Sequence, residues 1–126
     1  RDTHRDEDGA LVLGPLARHI LDRGIHLEMA PTCNTQIGAV PTVADHPVIP
    51  FLRAGFNVGV NTDNRLMSAV SPTGELWALH EACGITWEEI GCLVENAIAS
   101  SFAPLETRRA ILDEVVRPAY ASLAEG

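Results

Sequence analysis

Two short apolar runs, IHLEMA at 25–30 and FNVGV at 56–60, flank a helix-compatible stretch, and this pattern constrains the chain more than any other feature. In the first run Ile25, Leu27 and Met29 face one way while His26, Glu28 and Ala30 face the other, the two-residue period of a strand. Between the runs, Val48, Ile49, Phe51 and Leu52 form an apolar helical face over 46–54, with Asp45 as N-cap, Pro47 in the first turn and Gly55 at the stop. Strand, helix, strand with joints this short is a βαβ unit, so the strands are parallel and the crossover right-handed. Leu13, Leu16, Ala17, Ile20 and Leu21 recur at helical spacing over 14–23, ahead of Gly24. Three further helices follow the second strand: 73–83; 87–102, behind the capping box Thr86 to Glu89; and 105–123, entered through Pro104 and perturbed at Pro118. The class is therefore α/β, with two strands and five helices. PTCNTQIGAVPTVAD, at 31–45, reads as a long functional loop, and RDTHRDEDGA, at 1–10, has no hydrophobic period and reads as loop as well.

The 126 residues fit at most one compact domain, taken here as 1–126, a single partial domain. A closed eight-stranded (β/α) barrel takes about 250 residues, so no complete barrel fits. The sequence starts at Arg1 rather than Met, inside a charged loop-like stretch, and is expected to be a fragment. Nine arginines, no lysine and seventeen acidic residues give a net charge of -8. That balance argues against a phosphate-tracking surface, so neither nucleic acid nor an acidic membrane surface is an expected partner. No apolar run approaches the roughly 20 residues of a membrane span and the start is not signal-like, so a soluble cytoplasmic protein is expected. Cys33, Cys83 and Cys92 are odd in number and lack C-x-x-C spacing, which favours buried thiols over disulfides or a cysteine zinc site.

The carboxyl ends of parallel strands carry the chemistry of α/β proteins, because the loops leaving them converge on one face. Here they deliver Pro31, Thr32, Cys33 and Asn34 from the first strand, and Thr62, Asp63, Asn64 and Arg65 from the second. A carboxylate fixed at a strand tip, as Asp63 is, can bind a metal ion. The adjacent Asn64 amide can both donate to and accept from a heterocycle. The commoner use of Asp and Asn after a strand is an Asx turn or a helix cap. Glu28 needs a partner in a sheet covered on both faces and is exposed in a two-strand piece. The histidines assemble no site. His80–Glu81 opens like a zincin helix, but Gly84 stands at the second His position, so His80 is assigned to a helix surface. His4, His19 and His46 are expected to face solvent, and His26, on one strand face with Glu28, to be hydrogen-bonded. Cys33 has no positioned base and reads as a buried or rim thiol. No P-loop and no G-x-S-x-G elbow occurs.

LEMAPTCNTQIGAV at 27–40, ADHP at 44–47, VNTDNRLMS at 60–68 and NAIASSF at 96–102, in this order and spacing, resemble the C-terminal part of adenosine deaminase over about residues 11–124. The resemblance implies the C-terminal portion of a (β/α)8 TIM barrel, with these strands its seventh and eighth. It implies a zinc-dependent hydrolase that converts adenosine or deoxyadenosine to inosine or deoxyinosine and ammonia, with a small-molecule purine nucleoside as substrate. The family's NTD aspartate, a zinc ligand that also contacts the attacking water, corresponds to Asp63, which is thus the catalytic and metal-binding residue. The next family position, commonly an Asp that hydrogen-bonds the purine, is Asn64, whose amide can donate to a ring nitrogen. Glu28 resembles a family Glu on the seventh strand, set behind the residues in direct contact. The family's H-x-H, H-A-G-E and G-H-G blocks do not occur, and His4, followed by Arg5, does not stand in for the catalytic histidine of the last. The remaining Zn2+ ligands are expected in a preceding part of the protein, and residues 1–126 alone to be inactive. Two rival readings are a stand-alone non-catalytic binding or assembly unit, motivated by the absent blocks, and a deaminase of adenine or another 6-aminopurine, motivated by Asn64.

Overall fold

The computed structural model describes residues 2–124, so Arg1, Glu125 and Gly126 lie outside the described residues. The opening is a hairpin, not a loop: Thr3–Arg5 (β1) pairs antiparallel with Leu11–Leu13 (β2), with His4 opposite Val12. Its turn holds it, rather than any apolar alternation. Asp6 Oδ1 accepts from the Asp8 and Ala10 N–H groups at 3.1 and 2.8 Å, Gly9 takes φ +82°, and the Arg5 guanidinium donates to the Gly9 carbonyl at 2.7 Å. Pro15–Asp22 (α1) follows, with no side chain at Gly14 to cap it. Asp2 does so from across the hairpin: its carboxylate accepts from Ala17 N–H and its carbonyl from Gly14 N–H at 2.7 Å.

Leu27–Met29 (β3) leads into Pro31–Gln36 (α2), a 3-10 turn at Val43–Asp45, Val48–Arg53 (α3) and Val58–Val60 (β4). The strands are parallel, as the pattern predicts, with Leu27 opposite Val58, Glu28 opposite Gly59 and Met29 opposite Val60. The segment expected to be one long loop is thus partly helical. Pro31 occupies a first-turn position of α2, where its fixed φ suits the helix and its missing N–H costs nothing. Asp45 does not cap α3; it ends the 3-10 turn and accepts from Thr42 Oγ1 at 2.7 Å, and α3 starts behind Pro47 without a side-chain cap.

His46, expected at the surface, is 3% exposed. The turn folds its ring inward, where Nδ1 accepts from Val48 N–H at 3.2 Å and Nε2 lies 2.9 Å from Asn34 Oδ1. A donor facing Nδ1 and an acceptor facing Nε2 fix the neutral Nε2–H form, and burial lowers the pKa of the ring from its ordinary value.

Beyond β4 lie Arg65–Ser68 (α4), Pro72–Cys83 (α5), Trp87–Ser100 (α6), Leu105–Ile111 (α7), a π turn at Leu112–Val116 and Arg117–Ala124 (α8). The helical content thus exceeds the five predicted helices, with α2 and α4 added and the last helix divided. Pro118 accounts for the division. A proline has no N–H to donate and its ring crowds the carbonyl four residues back, so the turn before it widens and Arg117 N–H bonds to Leu112 O. The capping box forms as predicted, with Glu89 N–H donating to Thr86 Oγ1 at 3.2 Å and Thr86 N–H to Glu89 Oε2 at 3.0 Å. Glu89 also takes two bonds from Arg53, at 2.6 and 3.3 Å, tying α3 to α6.

Ala17, Val48, Ile49, Phe56, Val58, Leu79, Ile85, Ile90 and Leu93 form the core. Asn96, on α6, fastens that helix to the sheet by donating to the Val58 carbonyl at 3.0 Å. Cys92 is exposed and Cys33 and Cys83 are half-buried, not the buried thiols expected; Cys92 lies on the outer side of α6 between buried Gly91 and Leu93. Among the described residues no helix is long and apolar enough to cross a membrane.

His26 is hydrogen-bonded as expected, with Asn57 as its partner, Nδ1 to Oδ1 at 2.9 Å. The ring lies over Gly59, where an added Cβ would stand 2.8 Å from His26 Cε1 and 3.1 Å from Ala97 Cβ. Gly59→Ala is therefore expected to destabilise the fold by about 1–3 kcal/mol, as a lower urea midpoint with an unchanged slope. A second expectation concerns His46. Because its folded pKa lies below the unfolded value of 6.5, the unfolded chain binds the proton first. The stability from the neutral ring is complete above the unfolded pKa and is lost as pH falls from there through the folded one. Urea midpoints between about pH 7.5 and 5 should fall more steeply for the native sequence than for His46→Gln.

Candidate active site

The ladder runs one residue past β4, where Asn61 N–H donates to the Met29 carbonyl at 2.7 Å, and Thr62 then turns inward to 5% exposure. Asn61 Oδ1 accepts from Asp63 N–H at 3.1 Å, an Asx turn, and Asn64 Oδ1 accepts from Met67 N–H at 3.1 Å, the N-cap of α4. The two commonest uses of a polar residue after a strand thus fall to the flanking asparagines. Asp63 performs neither. Its backbone is left-handed, at φ +50°, a conformation that Asp tolerates better than most residues. Its exposed carboxylate takes one hydrogen bond from the described residues, from the Cys33 thiol to Oδ2 at 3.0 Å.

Cys33 comes from α2, which starts directly after β3. The hydrogen bond to Asp63 pushes the Cys33 thiol up, and burial and the Asp63 and Glu75 charges add to the effect. A thiol so held is a donor, which accords with the reading of Cys33 as a buried or rim thiol and not as a nucleophile. α2 is held at several points. Thr32 N–H donates to Glu75 Oε2 at 3.0 Å, Asn34 Oδ1 accepts from His46, and Gln36 Oε1 accepts from Ser68 Oγ on α4 at 2.8 Å. Glu75 and His46 are the residues that sequence reasoning missed. Glu75 had a signal: it lies at i, i+4, i+8 spacing with Leu79 and Cys83, and a carboxylate on that row is placed to be buried.

Glu28, Met29, Ala30, Asn34, Asn61 and Asp63 line a polar depression of about 210 Å3 between the strand ends. Glu28 is exposed beside it, as expected of a two-strand piece. A separate apolar cavity of about 200 Å3 lies among Leu76, Trp77, His80, Trp87, Ile90 and Tyr120, with no carboxylate in its lining. His80 is committed to the Ile85 carbonyl there, at 2.9 Å, and it, His4 and His19 are surface residues as predicted. Among the described residues no three His, Cys, Asp or Glu side chains converge to hold a metal ion. A catalytic zinc takes about three protein ligands and a water. Asp63 fits as one donor of such a set, because its Oδ1 takes no hydrogen bond from the described residues while Oδ2 is held.

Comparison with known proteins gives the family and the fold. The adenosine deaminase family description matches residues 3–118. Adenosine deaminases of Mycobacterium bovis and Mycolicibacterium vanbaalenii are 45% and 44% identical to the chain over 122 residues, 97% of its length. The chain spans about a third of the length of these relatives, 33% and 34%. Among solved structures, an adenine deaminase from Arthrobacter aurescens superposes with a TM-score of 0.77 at 26% identity, over 86% of this chain and 32% of that one. An amidohydrolase from Burkholderia ambifaria with bound Zn does so with a TM-score of 0.71 at 23% identity, over 87% of this chain and 31% of that one. The two parallel strands and their helices are part of a (β/α) barrel. With the family description matched over nearly all of its length, the chain belongs to the adenosine deaminase family.

Proposed function

We propose that the full-length protein is a zinc-dependent cytoplasmic deaminase that hydrolyses adenosine or deoxyadenosine to inosine or deoxyinosine and ammonia. Asp63 is its catalytic and metal-binding carboxylate, Asn64 its purine contact, and the remaining ligands come from outside this chain. One observation carries the reading: at the end of β4, Asn61 makes the turn and Asn64 caps α4, so the Asp63 carboxylate between them is left for chemistry. Zinc in such a site supplies Lewis-acid activation of water for attack at C6 of the purine.

The rest falls to the chain's own residues. Cys33 holds Oδ2 of Asp63, which limits the carboxylate's rotation and leaves Oδ1 for a ligand. From there Asp63 accepts a hydrogen bond from the water and orients it towards the base. Asn64 spends its Oδ1 on the cap of α4, so its Nδ2–H2 remains to donate to a purine ring nitrogen, with the cap fixing the amide plane. Since one donor does not complete a zinc site, residues 1–126 alone are inactive in this reading. An alternative substrate, adenine, is favoured by one observation, the likeness to the Arthrobacter aurescens adenine deaminase.

Loss of a residue behind a metal ligand commonly costs about 10–100-fold in affinity or activity, and loss of a direct ligand costs more. Asp63→Ala in the full-length protein should therefore lower bound zinc at least about tenfold and kcat more than about a hundredfold. Near-normal turnover would overturn the assignment and favour a non-catalytic unit. Asn64→Asp keeps an N-cap oxygen, so stability should stay within about 0.5 kcal/mol, while the ratio of kcat/KM for adenosine over adenine shifts. An unchanged ratio would remove Asn64 from the purine contact.

A further inference from the structure

Glu75, in the first turn of α5, is wholly buried. Its Oε2 accepts the Thr32 N–H at 3.0 Å, while Oε1 meets no donor among the described residues. Joining two helices does not require this. A leucine or glutamine of similar size would fill the space without bringing a carboxylate out of water. The place of the contact supplies a reason. Thr32 immediately precedes Cys33, whose thiol donates to Asp63 Oδ2 at 3.0 Å. Asn34 and Gln36 hold α2 further along, through His46 at 2.9 Å and Ser68 at 2.8 Å; on the peptide directly ahead of Cys33, Thr35 Oγ1 acts from within α2, donating to the Pro31 carbonyl at 3.0 Å, and Glu75 acts from another helix.

We propose that Glu75 is a positioning residue for the deamination: it fixes the first turn of α2 so that the Cys33 thiol holds Asp63 in its working orientation. Glu75 touches neither substrate nor metal, and its effect passes through the Thr32 amide and the Cys33 side chain. The inference rests on the role given to Asp63 above. Its structural half, that Glu75 controls Cys33, is measurable without turnover.

The test uses the full-length, zinc-loaded protein with Glu75→Leu, Glu75→Asp and Glu75→Gln. Leucine removes the acceptor, aspartate keeps the charge but draws the oxygens back, and glutamine keeps an oxygen for the Thr32 N–H. Three quantities are read: kcat and KM for adenosine, the rate of iodoacetamide alkylation at the Cys33 peptide by mass spectrometry, and the melting temperature. In the Leu and Asp variants kcat should fall about tenfold or more with KM within about twofold, and Cys33 should be alkylated several-fold faster. The Gln variant should return both to within about threefold of the native protein. Should Glu75→Leu fail to fold, Glu75→Asp carries the comparison.

Unchanged kcat and alkylation in the acceptor-deficient variants would overturn the proposal. So would a fall in kcat without faster alkylation, or failure of glutamine to rescue, which would make Glu75 a purely structural residue. Asp63→Ala separates this from the parent reading: if that variant still turns over, the role of Asp63 fails, while the alkylation rates still decide whether Glu75 governs Cys33.

Discussion

The parallel ladder between β3 and β4, closed by Leu27 N–H to Asn57 O at 2.8 Å and Asn61 N–H to Met29 O at 2.7 Å, is the constraint on which the rest of the structure depends. A parallel pair cannot be joined by a tight turn, so the chain must return the length of the sheet before the second strand starts. That return puts both carboxyl ends at one edge of the molecule and leaves a crossover to be filled. The crossover is filled with α2 at the strand ends, then the 3-10 turn and α3 leading back. Pairing two strands of three residues each is thus enough to bring Cys33 within 3.0 Å of Asp63, thirty residues away.

The site divides labour between amides and carboxylates. Asn61, Asn34 and Asn64 all satisfy groups of the protein itself: a turn N–H, the ring of His46 and the start of α4. An amide is suited to this because it is neutral and can be half-buried at modest cost. The carboxylates at the strand ends, Glu28 and Asp63, are exposed, whereas Glu75 is kept inside. In a chain of net charge -8, exposed carboxylates at one edge favour a cation there over an anion.

Much of this was legible in the residues. The two-residue period of 25–30, the Thr86 to Glu89 box and the break at Pro118 each rest on local chemistry, and each stands in the structure. Asp63 is singled out in the sequence by its strand-end place and by four blocks that agree in order, and its freedom from turn and cap was visible only once the hydrogen bonds of Asn61 and Asn64 were known. What escaped was set by contacts distant in sequence. The opening hairpin pairs a polar strand, Thr3–Arg5, with an unbroken apolar one, Leu11–Leu13, so no alternation marks it, and its tie to α1 joins residues 2 and 17. His46 was placed outside because a helix was taken to start there; the 3-10 turn that carries it inward leaves no periodic trace in three residues. Glu75 was missed because its partner is a backbone N–H 43 residues earlier in the chain, which composition cannot reveal.

The left-handed backbone of Asp63 bears on how this position can change by descent. At φ +50° most side chains are strained, and the residues that enter this region most readily are Gly, Asn and Asp. Asp codons lie a single base from those for Asn and Gly. The commonest accidents at this site are therefore ones the backbone accepts, and each would erase the carboxylate while leaving the strand end in place. Folding offers no filter against such losses, so a chain that had lost this acid would keep its strand end and its helices.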